Sequence, residues 1–188
     1  MGVYMQQVLE LLLNRSSQPR LQEPAPDEQQ LQHIIHAAMR APDHGNLTPW
    51  KFIVCQNNGL SRLGDIFEQA AIDEQLSEKE VLRAPQLPLR APMIIIVIAR
   101  YQASEKVPWI EQVASASCAA YAMQLAANAQ GFANIWRTGV YSQSGYVKRA
   151  LGLAEQDEIV GFLYLGSSAA DPLGRPTKSS RDFMEIWD

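Results

Sequence analysis

Near the amino terminus, apolar residues recur at helical spacing, with Tyr4, Val8, Leu11 and Leu12 on one stripe of a predicted helix over Val3 to Leu13. A polar stretch with Pro19, Pro24 and Pro26 ends it. Asp27, followed three residues on by Gln30, has the capping-box pattern, in which each side chain accepts from a backbone N–H that lacks a partner at the helix start. The helix it opens is expected to run to about Arg40 and to bury Leu31, Ile34, Ile35 and Met39. Lys51 to Gln56 reads as a short strand that stops at the turn signal Asn57-Asn58-Gly59. A third helix follows, to about Gln75.

Ser77 and Glu80 form a second capping box opening a brief helix, after which Pro85, Pro88 and Pro92 predict an extended linker. The β-branched run within Met93 to Arg100 predicts a strand buried on both faces. The longest helix spans Trp109 to Gln130, with Ile110, Val113, Ser117, Tyr121, Leu125 and Ala129 on one side and Gly131 just past its end. Its alanines permit close approach by another helix. Asn134 to Arg137 is a short strand, Gln143 to Leu151 a helix ended by Gly152, and Ile159 to Leu165 another buried strand. Two helices precede the first strand, and no strand-Gly-x-Gly-x-x-Gly-helix fingerprint is present. This order predicts an α+β sandwich with a mixed central sheet rather than a dinucleotide-binding domain. The tail, 167–188, is loop-like but ends in Phe183, Met184, Ile186 and Trp187, which need a surface to cover.

With 188 residues, 47% of them hydrophobic, the chain can bury one core, and residues 1–188 are expected to form a single domain. A net charge of −4 creates no global field for nucleic acid, so an anionic ligand must be held by local cations. Cys55 and Cys118 lie far apart without Cys-x-x-Cys spacing, which predicts reduced thiols in a cytoplasmic protein. The apolar run Met93 to Ala99 is too short to span a bilayer as a helix, so no membrane partner is expected.

Candidate chemistry concentrates in three segments. Arg40-Ala-Pro-Asp-His44-Gly-Asn-Leu-Thr-Pro-Trp50 places a cation and an imidazole in an irregular turn between a helix and a strand; a tight connection has the same composition. Asn14-Arg15-Ser16-Ser17 sets one guanidinium beside two hydroxyls, the donors that suit a phosphate, although a solvated helix end looks the same. Trp136-Arg137-Thr138-Gly139 puts an arginine at a strand end before a turn glycine, either for a ligand or for a surface carboxylate. His33 and His36 lie on a polar helix side with no carboxylate or cysteine to complete a metal set, and no metal is expected. No serine-nucleophile elbow and no P-loop occur. Reactivity therefore has to come from a cofactor.

Taken together, Leu12-Leu13-Asn14-Arg15-Ser16-Ser17, Met39-Arg40-Ala-Pro-Asp-His44, Gln130-Gly131-Phe132 leading to Ile135-Trp136-Arg137-Thr138-Gly139, and Val160-Gly-Phe-Leu-Tyr-Leu-Gly166 resemble the FMN-dependent nitroreductase family, most closely its short bacterial branch. The resemblance covers nearly the whole chain. It implies a nitroreductase-like sandwich in an intertwined homodimer, with FMN at the subunit interface and the tail packed across the partner. By position it implies that Arg15, Ser16 and Ser17 hold the phosphate and ribityl chain, that Arg40 and His44 approach the same flavin, and that Arg137, Thr138 and Gly139 complete the site. Ala127, Asn128, Ala129, Gln130, Gly131 and Phe132 would border the place where NAD(P)H or substrate stacks. No catalytic side chain is implied, since the chemistry belongs to the flavin. The implied activity is ping-pong reduction of nitroaromatic, quinone or similar small-molecule acceptors by NADH or NADPH. The alternative is a flavin-binding or sensing protein of the same fold without a dedicated acceptor. The wider family often has Ser-Ser where this chain has Asp43-His44, and Gln where it has Thr48, so contacts at the flavin edge are expected to differ.

Overall fold

The computed structural model describes residues 2–168, 170 and 179–187, without the side chains of residues 2–5. Helix α1 (Gly2–Asn14) leads to a short strand β1 (Leu21–Gln22), then α2 (Glu28–Ala38), β2 (Trp50–Gln56), α3 (Asn58–Asp73) and α4 (Glu78–Arg83). Strand β3 (Met93–Ala99), helix α5 (Trp109–Ala129), β4 (Ala133–Arg137), α6 (Val140–Gln143), α7 (Gly145–Ala150) and β5 (Glu158–Ser168) complete the domain body. The Asp27–Gln30 and Ser77–Glu80 capping boxes both form.

Strand β5 organises the sheet. It pairs with β3 on one side and with β4 and β1 on the other, and β2 adds to the far edge of β3. Every pairing among the described strands is antiparallel, in place of the mixed sheet expected, because none of the connections returns a strand in the direction of its neighbour.

Strand β3 is buried along its whole length. Ile94, Ile96 and Ile98 enter a core with Leu63, Phe67 and Ala70 of α3, whereas Met93, Ile95 and Val97 meet Ile34 of α2 and Ala119, Ala120 and Met123 of α5. Helices thus cover both faces, and each large side chain removed from water contributes about 1.5–3 kcal/mol.

One irregularity changes the facing of β5. Val97 pairs with Gly161 and Ile98 with Ile159, so Val160 is the extra residue of a bulge. Ile159 faces the α3 core, and so do Phe162 and Tyr164, while Leu163 and Leu165 face α5. An odd-numbered residue and two even-numbered ones on one face require that extra residue.

Several local expectations are corrected. The proline segment is not an extended linker but two 3-10 turns, Ala84–Gln86 and Pro88–Arg90, since proline near the start of a turn loses no hydrogen bond. Asn57 alone makes the turn after β2, at φ 51°, and α3 starts at Asn58. The helix expected over Gln143 to Leu151 is broken at Ser144 into α6 and α7. Met39 lies beyond α2 and is exposed. In α5 the packed side runs through Ala116, Ala119, Ala120, Met123 and Ala127, leaving Ile110 and Tyr121 in solvent.

Of the expected stripe on α1, Leu11 is half-buried, Val8 and Leu12 are exposed, and the side chain of Tyr4 lies outside the described residues. In the tail, 169, 171–178 and 188 also lie outside them. Ser180–Phe183 forms a 3-10 turn, followed by exposed Met184, Ile186 and Trp187.

Candidate functional site

Strand β4 and its two ends gather most of the residues singled out by sequence. At its start, a buried amide relay ties three segments together. Gln124 Nε2 donates to Asn134 Oδ1 at 2.7 Å, and Asn134 Nδ2 donates to the Gln124 carbonyl at 3.2 Å and to Asn128 Oδ1 at 3.2 Å. Asn128 Nδ2 then donates to the Phe132 carbonyl at 3.0 Å, and the Gln18 N–H donates to the Asn134 carbonyl at 2.9 Å. Asn134 is fully buried, so these bonds satisfy groups that have no water to turn to. Their effect is to pin the Arg15–Ser17 segment against the end of α5. Arg15 and Ser16 line a hollow of about 230 Å³ with Asn14, Asn128, Gly131 and Phe132. Two predicted groups, the phosphate-type donors and part of the nicotinamide border, therefore meet there. Ser17 is half-buried beside them. Ala127 is buried in the core and receives the Gln130 and Phe132 N–H groups, Gln130 Nε2 donates to the Gln30 carbonyl, and Ala129 is exposed.

At the far end of β4, Arg137, Thr138 and Gly139 line a second hollow of about 460 Å³, within the range of small-molecule sites. Its walls include Phe67, Tyr141, Phe162 and Tyr164, and two further cations, Arg83 and Arg90, reach it from the segment between α3 and β3. Phe67 and Tyr141 stack with centroids 4.3 Å apart at 12°. The Arg137 guanidinium lies 5.5 Å from the Tyr164 ring centre. Its Nε is buried and has no hydrogen-bond partner among the described residues. Burial pushes the Arg137 pKa down; Tyr164 opposes this, and Arg90 and Arg83 add repulsion. Burial likewise pushes the Tyr164 hydroxyl up to about 12. Gly139 has φ 105°, and a Cβ there would meet nothing within 4 Å, so the turn is open toward whatever the hollow receives.

The Arg40–Trp50 turn is placed apart from both hollows within this chain. Asp43 accepts from the N–H groups of Leu47 and Thr48 at 3.2 and 2.7 Å, holding the loop closed. Ser115 Oγ donates to the Pro42 carbonyl at 2.6 Å, and His44 Nδ1 lies 2.7 Å from Glu111 Oε2, so the loop is clamped onto α5. Arg40 edges an apolar groove with Pro42, Cys118, Tyr121, Leu125 and Trp136. His33 and His36 are exposed, and no grouping among the described residues could hold a metal ion. No described helix is long and apolar enough to cross a membrane.

Sequence reading missed Arg83, Arg90, Tyr141 and Tyr164 as lining residues. The signal was weak: Arg83 lies in a brief helix with no motif of its own, Arg90 in a segment read as a linker, and the tyrosines occupy positions that core aromatics also fill.

A buried donor left unpartnered among the described residues, beside aromatic walls, suits a planar ligand with acceptor atoms on its edge, which FMN is, so the residues present fit that cofactor. Residues 12–167 match the model of the nitroreductase family. The chain is 51% identical over 159 residues to the Escherichia coli (strain K12) protein named "Putative NAD(P)H nitroreductase YdjA", covering 85% of this chain and 87% of that one. A Haemophilus influenzae protein of the same type is 42% identical over 160 residues, covering 85% and 87%. Among solved structures, a nitroreductase-like family protein from Bacillus cereus superposes with a TM-score of 0.83 at 22% identity, over 96% of both chains. A Desulfovibrio desulfuricans chain solved in complex with FMN gives 0.73 at 20% identity, over 96% of this chain and 97% of that one. The chain belongs to the nitroreductase family, a family of oxidoreductases.

Proposed function

We propose that the protein is an FMN-dependent NAD(P)H oxidoreductase that reduces nitroaromatic, quinone or similar small acceptors. The observation carrying this reading is the buried, unpaired Nε of Arg137 in an aromatic-walled hollow, in a chain of this family. Bound FMN would supply the redox chemistry, taking two electrons from NAD(P)H and giving them to an acceptor that follows at the same face, which is a ping-pong order. The protein's own groups bind and orient. Arg15, Ser16 and Ser17 offer a planar cation and hydroxyls to a phosphate, Thr138 and Gly139 shape the turn against the ring, and Arg137 places positive charge where electron density accumulates. Asn128, Gly131 and Phe132 border the approach of the nicotinamide.

The same proposal assigns the chain to a cytoplasmic homodimer in which Arg40 and His44 are supplied to the flavin bound mainly by the partner. Supporting this, Arg40 and His44 line neither hollow, and Met39, Ile110 and Tyr121 are exposed. Burial of such side chains against a second copy would favour the dimer.

The test is direct. Purified protein should be yellow or take up about one FMN per chain, and should oxidise NADH or NADPH faster when a nitroaromatic or quinone is added. Protein that neither binds nor quenches FMN would end the reading. Binding with no stimulation by any acceptor would leave the flavin-sensing alternative in its place.

A further inference from the structure

Among the described residues, the lining of the larger hollow carries more positive than negative charge. Arg83, Arg90 and Arg137 line it against one carboxylate, Glu80, whose pKa is lowered chiefly by hydrogen bonds from Ser77 and to a lesser degree by Arg83. Glu80 Oε2 accepts from the Ser77 N–H at 3.1 Å and from Ser77 Oγ at 2.5 Å, which is the reciprocal half of the α4 capping box. None of the ion pairs among the described residues includes any of the three arginines. Arg90 and Arg83 both act repulsively on the Arg137 guanidinium, in a hollow that also holds the stacked Phe67–Tyr141 pair, and an anion held among the three would relieve that repulsion.

The segment carrying two of them is built to hold its position. Pro85 and Pro88 start consecutive 3-10 turns, Ala84 and Pro88 are buried, and the Pro85 carbonyl presses so closely on α3 that a Cβ on Gly64 would come within 2.6 Å of it. Arg83, the last residue of α4, and Arg90 thus line the hollow from an anchored segment, and both are exposed.

We propose that Arg83 and Arg90 act with Arg137 as an anion clamp that takes the negatively charged edge of a planar aromatic ligand. This rests on the oxidoreductase reading above, and two sources of that chemistry are distinguishable. One is the pyrimidine edge of the reduced cofactor; the other is an anionic substituent on an aromatic acceptor. In either case the aromatic walls receive the ring and the guanidinium forks receive the charge, so a neutral ligand of the same shape gains only the first contribution.

The experiment compares Arg83→Gln, Arg90→Gln and the double variant with the unaltered FMN-loaded protein. Readouts are the FMN dissociation constant, the midpoint potential of the bound flavin, and KM for 4-nitrobenzoate beside the neutral 4-nitrobenzyl alcohol. If the clamp serves the cofactor, the double variant weakens binding of reduced over oxidised FMN about tenfold, which lowers the potential by about 30 mV for two electrons. If it serves the acceptor, KM for nitrobenzoate rises at least about fivefold while the alcohol is unaffected, with lysine at both positions restoring part of the loss. An unmoved potential with equal effects, or none, on both nitro compounds would overturn the clamp. Failure of the functional reading looks different, because then the unaltered protein takes up no FMN. The clamp is in that event judged by calorimetry with 4-nitrobenzoate alone, where binding lost in the double variant supports it and no binding to the unaltered protein refutes it.

Discussion

The indole of Trp136 fills the space that a Cβ on Gly161 would need, and its Nε1 donates to the Val160 carbonyl at 3.1 Å. Glycine beside the bulge therefore lets β4 lie close against β5 up to its last residue, Arg137. Gly161→Ala should displace the indole and destabilise the fold by about 1–3 kcal/mol, the usual cost of overpacking. Denaturant unfolding followed by tryptophan fluorescence measures this. FMN affinity should fall with it, because Arg137 to Gly139 move with Trp136; unchanged stability would mean that the bulge accommodates the methyl group.

Arg15→Ala should weaken FMN binding far more than folding. A charge-assisted hydrogen bond contributes about 1.5–3 kcal/mol, so the dissociation constant should rise about ten- to a hundredfold, with little change in Tm. Flavin fluorescence titration reads this, and an unaltered constant would return Arg15 to the solvated surface.

Arg137→Ala should make the bound flavin harder to reduce. A fixed cation next to the ring favours the electron-rich form, and removing it should lower the potential by on the order of 30 mV or more, the equivalent of a tenfold shift for two electrons. Spectroelectrochemical titration checks the direction; a potential that does not fall would place Arg137 away from the ring.

Alkaline stability should report on Tyr164. Burial raises its pKa from 10.0 to about 12, against the opposing pull of Arg137. Because the folded pKa exceeds the unfolded one, its contribution is complete below pH 10 and is lost as the pH rises from about 10 to 12, to a total of about 2–3 kcal/mol. Tyr164→Phe should flatten that part of the stability curve. An equally steep decline in the variant would trace the loss to other groups.

The end of the chain should matter to assembly. Phe183, Ile186 and Trp187 are all at least 74% exposed, and burying such side chains contributes about 1.5–3 kcal/mol each. Deleting the residues after Arg181 should weaken the proposed dimer and loosen FMN together. Sedimentation showing an FMN-loaded monomer of the intact protein would remove the shared site, whereas unchanged behaviour on truncation would remove only the role of the tail.

What sequence reading recovered follows from where local rules are strong. The run Ile94 to Ile98 is apolar on every residue, so burial of both faces of β3 needed no tertiary information. Asp27 and Ser77 announced helix starts because capping is a contact within a few residues. The rest depended on neighbours distant in the chain. Alanines in α5 give no contrast between faces, so the packed side could not be separated from Ile110 and Tyr121 by spacing alone. Asn134 looks like an ordinary polar residue until Gln124, Asn128 and Gln18 are brought to it by the fold. Arg15 and Arg137 could be picked out, but not their different hollows, and Arg83 and Arg90 became visible only once the proline segment was seen to be wound and anchored.

The extra residue at Val160 gives β5 a reading frame. Downstream of it, Phe162 and Tyr164 look toward the arginines while Leu163 and Leu165 look toward α5, and the assignment depends on counting, not on identity. Exchanging one of these letters alters a single contact, but losing one letter would turn phenylalanine and tyrosine into the alanine-lined core and leucines into the ligand hollow at once. Among variants selected for new acceptors, this strand should tolerate respelling and reject any change of length.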